Sequence, residues 1–270
     1  MVARAETEQP GAAWRLLDPR STAAVAVPLV ALALLGWYIT VRQARDMSGM
    51  ITGLGQVGTH MPNTMGSLAF MGMWLGMMAA MMLPAIGPVV LAQQMVVRSR
   101  GEGALPSVAF VASYLAVWLL IGLAPLLAFL AFRNLPMEAQ SSPGLRIVGG
   151  AALFAAGVYQ FTPLKDTCLR ACRSPLGFVR RHNASGPGAA MRAGAAYGAF
   201  CVGSCWALMV VLLVVGLMNL IWMAAIALVF LAEKNWRHGV LVTRLTGGGV
   251  AALGVVAAAA PSILSAISRI

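Results

Sequence analysis

The chain has 270 residues, of which 60% are hydrophobic and 10% charged, and its formal net charge is +11. A soluble domain is about 45–50% apolar and about 25% charged, so this composition excludes a water-soluble globule and predicts an integral membrane protein. The positive charge lies in loops beside apolar runs and lacks the aromatic-interleaved basic module of a nucleic-acid binder. Its expected partners are anionic lipid headgroups, and no nucleic acid is expected.

Residues 1–21 read as a polar N-terminal segment on the cytoplasmic side. The apolar run that follows has no Ala-x-Ala-like cleavage site and is expected to be an uncleaved first span. Residues 22–270 are expected to form a single all-α transmembrane helix bundle, since the ten-residue alternation of barrel strands is absent. Seven spans are predicted, at about 22–41, 67–92, 107–132, 145–163, 194–217, 219–233 and 246–267. The fifth and sixth are divided at Gly216-Leu-Met-Asn219, the only turn signal in some forty apolar residues. Fourteen of the 19 Lys and Arg residues then fall on one side of the membrane. The others, Arg42, Arg45, Arg133, Arg146 and Arg269, fall opposite. The positive-inside rule puts the N-terminus in the cytoplasm and the C-terminus outside. The expected location is a bacterial inner membrane, crossed several times.

Segment 42–66 then faces outward and carries Met47, Met50, His60, Met61 and Met65. The second span follows as Met71-Gly-Met-Trp-Leu-Gly-Met-Met-Ala-Ala-Met-Met82, leading to Leu83-Pro84. In a helix, Met73, Met77 and Met81 form one stripe, while Met71, Met78 and Met82 form a second nearby. Pro84 cannot donate to the carbonyl of Ala80, which predicts a kink. The stripe reads either as a thioether ladder for Cu(I) or as flexible packing in an apolar bundle.

All four cysteines occur in two pairs, Cys168-Leu-Arg-Ala-Cys172 and Cys201-Val-Gly-Ser-Cys205. Residues four apart share one helix face, so each pair aims two sulfurs at one point. Met209 continues the second stripe. Soft sulfur selects Cu(I), zinc or iron–sulfur chemistry, and the nearby Lys165, Arg170, Arg173 and Arg192 favour thiolates electrostatically. The competing reading is that cysteine is a small buried hydrophobe. Lys165 and Glu233 are expected to form an ion pair behind the thiols, and a ligand role for Glu233 is the lesser alternative. His182 and His238 read as surface groups. No zinc-protease, nucleophile-elbow or phosphate-loop motif is present, so the balance leans away from an enzyme and the sequence leaves open whether any reaction is catalysed.

Several motifs arrive in a fixed order: Trp74-x-x-Met77-x-x-Ala80-Met-Met-Leu-Pro84, then Tyr159-Gln-x-Thr-Pro-Leu-Lys165-x-x-Cys168-x-x-x-Cys172-Arg173-Ser-Pro. Cys201-x-Gly-x-Cys205-Trp-Ala-Leu-Met209, Met218-Asn-Leu-x-Trp-Met223 and Glu233-Lys234 follow. Together they make the stretch from about 65 to 240 resemble a bacterial domain-of-unknown-function family, described as predicted metal-binding integral membrane proteins. The resemblance implies metal binding at these Cys, Met, Lys and Glu positions and supplies no reaction.

The leading expectation is therefore a membrane protein that binds, senses or passes a soft metal, copper before zinc. Its ligands are Cys168, Cys172, Cys201, Cys205, Met209, Met73, Met77 and Met81, with Lys165 and Glu233 around them. Met47, Met50, His60, Met61 and Met65 would capture the ion outside, and a metallochaperone or membrane protein would be its partner. Two alternatives stay open. One is a thiol–disulfide oxidoreductase, which the Cys-x-x-x-Cys spacing and the reducing side oppose. The other is an assembly subunit of a larger membrane metalloenzyme.

Overall fold

The computed structural model describes residues 19–46, 66–133, 143–182, 185–215 and 219–259. The expected capture residues Met47, Met50, His60, Met61 and Met65 lie outside the described residues. All regular structure among the described residues is α-helical. In chain order the helices are α1 (Pro19–Asp46), α2 (Ser67–Ser99), α3 (Leu105–Ile121), α4 (Leu123–Arg133) and α5 (Pro143–Tyr159). Then come α6 (Pro163–Arg173), α7 (Pro175–Arg181), α8 (Pro187–Val215), α9 (Leu220–Asn235) and α10 (Gly239–Ala259).

Local chemistry sets the boundaries. A proline opens α1, α5, α6, α7 and α8, where its missing N–H has no partner to lose and its fixed φ already suits a helix. At the end of α2, Gly101 has φ +69°. The Glu102 N–H returns to the Val97 carbonyl and the Gly101 N–H to Arg98, a Schellman closure that needs glycine. Asn219 caps α9 by accepting from the Ile221 and Trp222 amides at 3.1 Å each, so the chain divides after α8 at the turn signal read from sequence.

Five segments are long and apolar enough to cross a membrane: Thr22–Arg45, Ser67–Ser99, Leu105–Ala128, Pro187–Val214 and Gly239–Ala259. A sixth is possible if Ile147–Tyr159 and Pro163–Arg173, bent 60° apart, count together. The difference from seven sits at two places. The expected span at 145–163 ends at Tyr159, because Thr162 and Pro163 start a new helix there. The expected span at 219–233 is helix α9 of 16 residues, about 24 Å long against a hydrocarbon core of about 30 Å.

The helix α2 forms the centre and packs on α1, α3, α4, α7 and α9. It runs as one helix through Pro84 and Pro88. Met73, Met77, Met78, Met81 and Met82 are all buried, so both methionine stripes face protein. Trp74 donates its indole N–H to the Trp118 carbonyl at 2.9 Å and locks α2 to α3. Large aliphatic side chains such as Val30, Leu34, Leu120, Ile147, Val148, Leu245 and Val255 point outward and are exposed. Among the described residues an apolar exterior surrounds a core that holds buried polar groups, an arrangement consistent with membrane association.

Candidate functional site

The two cysteine helices meet. Helix α6 packs against α8 and α9, and α8 also packs along α3. Thr162 caps α6 through its side chain, accepting from the Lys165 amide at 3.4 Å. The 60° turn at this cap lays Cys168 and Cys172 across the middle of α8.

Cys201 and Cys205 are wholly buried, and on the shared helix face their side-chain rotamers bring the sulfurs to 3.7 Å. The Cys205 thiol donates to the Cys201 carbonyl at 2.6 Å. The Tyr114 hydroxyl of α3 lies 3.1 Å from Cys201 Sγ. From α9, Lys234 donates its ammonium to Cys201 Sγ at 2.9 Å and to Cys205 Sγ at 3.9 Å. A cation here balances the charge a thiolate would bring into an apolar interior.

The intervening residues of the second pair serve the first. A Cβ placed on Gly203 would stand 2.5 Å from Cys168 Sγ, so glycine is required for Cys168 to pack against α8. Ser204 is next to Cys172, with Oγ and Sγ 3.9 Å apart. Its hydroxyl also donates to the Cys201 carbonyl at 2.8 Å and to Cys205 Sγ at 3.8 Å. Tyr159 donates to the Gly203 carbonyl at 2.7 Å, and Tyr197 to the Cys172 carbonyl at 3.4 Å.

Thus all four cysteines come to one region, yet as two couples with Gly203 and Ser204 between them. Among the described residues, no three or more Cys, His, Asp or Glu side chains cluster closely enough to hold a metal ion. Four thiols sharing one ion, as the sequence suggested, are not assembled in this conformation. Met209 lies buried one turn beyond Cys205. Met73, Met77 and Met81 belong to the same continuous core but sit on α2, a separate helix. His182 and His238 are exposed.

Lys165 and Glu233 form an ion pair within the core, with the ammonium donating to both carboxylate oxygens at 2.9 and 3.0 Å. Arg173, at the other end of α6, donates to the carbonyls of Trp236 and Arg237 at 2.9 and 3.3 Å. Both ends of the first cysteine helix are therefore tied to the end of α9.

The cation on the thiols is not one of those chosen from sequence. Lys165 is engaged by Glu233, Arg170 donates to Thr167, Arg173 holds backbone and Arg192 is exposed. Tyr114 and Ser204 were missed, and Lys234, present among the motif positions of the resemblance, was not placed beside the thiols. A signal for Lys234 was available: it directly follows a carboxylate in an otherwise apolar helix, where an unpartnered charge is expensive.

No curated protein and no solved structure matches the chain. A family model described as "PpoB2: Copper chaperone" matches residues 71–257, more than half of the sequence and all four cysteines, and the chain belongs to that copper chaperone family.

Proposed function

We propose that the protein carries Cu(I) as cargo within a membrane, holds it between Cys201 and Cys205, and passes it to a copper-requiring partner protein. The observation that carries this reading is the 3.7 Å separation of two buried sulfurs beside a cation. Two thiolates bound to one ion at about 2.3 Å stand about 3.8 Å apart at a tetrahedral angle and about 4.6 Å apart when linear. The couple is therefore spaced for a shared ion with little rearrangement. Copper precedes zinc because the further soft donors in the same core are thioethers, with Met209 one turn beyond Cys205 and Met73, Met77 and Met81 on α2.

Transfer proceeds by exchange. Cys172 or Cys168 forms a new Cu–S bond as a bond to Cys201 or Cys205 breaks, so the ion keeps its thiolates and its oxidation state. Cys168, at the edge of the couple, hands the ion to the partner. Lys165 and Glu233 hold α6 in register for this exchange. On the outer side, Met47, Met50, His60, Met61 and Met65 capture the ion, and the bundle, with its N-terminus in the cytoplasm, routes it inward.

Copper analysis of detergent-purified protein loaded with Cu(I) under reducing conditions tests the reading. Wild type retains copper through gel filtration, and Cys201→Ser with Cys205→Ser loses it. Retention of equal copper by the double variant, or retention of zinc alone by wild type, refutes it.

A further inference from the structure

Resting on that reading, we propose that Lys234 is the specificity determinant of the site and restricts it to monovalent soft cations. Its ammonium touches both sulfurs of the couple, at 2.9 and 3.9 Å. The only other charged side chains buried among the described residues are Lys165 and Glu233, and these neutralise each other across a 2.9 Å contact. The net charge of the loaded interior is therefore set by Cys201, Cys205, Lys234 and the ion.

With both cysteines as thiolates, Lys234 charged and a monovalent cation between them, the assembly is neutral. A divalent cation leaves one uncompensated positive charge in a volume walled by Tyr114, Tyr197, Met209 and Phe230, all buried. Low-dielectric surroundings penalise that charge steeply. A third thiolate would restore neutrality for a divalent ion, but among the described residues none stands with the couple in this conformation, and exchange onto Cys172 or Cys168 replaces one thiolate by another. Cys172 meets the hydroxyl of Ser204. The Tyr114 hydroxyl stabilises Cys201 sulfur without altering the balance.

The effect of the ammonium is read from a change in the ratio of affinities. Wild type and Lys234→Met offer each ion the same two thiolates, so thiolate formation, thiolate attraction and ion dehydration cancel between them. What survives is the repulsion between the ammonium and the ion, twice as large for a divalent one.

Ag(I) and Cd(II) serve as spectroscopic probes, titrated into detergent-purified protein and followed by sulfur-to-metal charge-transfer absorption, with dithiothreitol as the free-solution reference. Lys234→Met keeps the length of the side chain and removes its charge. It is expected to lower the Ag(I)-to-Cd(II) affinity ratio by at least about tenfold, whereas Lys234→Arg stays within about threefold of wild type. Wild type itself is expected to prefer Ag(I) over Cd(II) more strongly than dithiothreitol does, by at least about tenfold, a comparison that needs no variant to fold. An unchanged ratio in Lys234→Met, or a wild-type preference no greater than that of dithiothreitol, overturns the assignment. Cys201→Ser with Cys205→Ser serves as the blank. If it binds Ag(I) as wild type does, the copper site itself has been misplaced, a failure separate from that of Lys234.

Discussion

The ion pair between Lys165 and Glu233 offers the sharpest test of how the cysteine helices are held. Their side chains are 0% and 1% exposed, with the ammonium 2.9 Å from the nearer oxygen. Removing one partner strands a charge where neither water nor lipid headgroup can reach it, at a cost of about 3–5 kcal/mol. Removing both and filling the volume with apolar side chains is often neutral or stabilising. Lys165→Met and Glu233→Leu are therefore each expected to destabilise by about 3–5 kcal/mol, while the double variant returns to within about 1 kcal/mol of wild type. For a chain of this length about 2–4 °C accompanies each kcal/mol, so each single variant should melt about 10 °C lower. Thermal unfolding in detergent, followed by circular dichroism, reads the whole cycle. Simple additivity of the two single effects, or single losses below about 1 kcal/mol, would refute a buried, mutually neutralising pair.

Two glycine substitutions probe close approach. Gly157→Ala would set a Cβ 2.3 Å from the Ala251 amide nitrogen, and the α5–α10 contact should lose about 1–3 kcal/mol. Gly249→Ala meets nothing within 4 Å, so it should leave thermal unfolding unchanged or raise it slightly through helix propensity. Gly203→Ala must displace Cys168 from its seat on α8 and is expected to speed maleimide labelling of that thiol several-fold. An unchanged labelling rate would remove the packing role assigned to Gly203.

What the sequence made legible was local. A helical period puts Cys201 and Cys205 on one helix face whatever else the chain does, and a long apolar run is the signature of a membrane-length helix. The Lys165–Glu233 pair was open to inference for a related reason: a carboxylate and an ammonium in so apolar a chain have few partners besides each other. The 60° break after Tyr159 had a signal too, the Thr162-Pro163 cap, but an apolar run long enough for a span concealed it. Lys234 is different in kind. Its contact with Cys201 joins residues 33 apart in sequence, and it depends on how α9 packs against α8. Sequence periodicity gives no account of that packing. The methionines of α2 were equally opaque, because apolar residues line its half-exposed side as well as its buried one and no polar face reveals its orientation.

The short helix α9 connects these observations. A span of ordinary length would carry Glu233 and Lys234 to a headgroup interface, where snorkelling and hydration make both inexpensive. With 16 residues, α9 instead ends with both side chains in the core. Adjacent positions on a helix point about 100° apart, so the pair serves two different partners at once. Glu233 takes Lys165 and thereby fixes α6, while Lys234 takes the sulfurs of α8. The carbonyls just beyond, of Trp236 and Arg237, take Arg173 from the far end of α6. Three separate contacts from one helix terminus thus fix both cysteine couples relative to each other. Lengthening α9 by a turn would separate the charges from the thiols while leaving the apolar bundle intact.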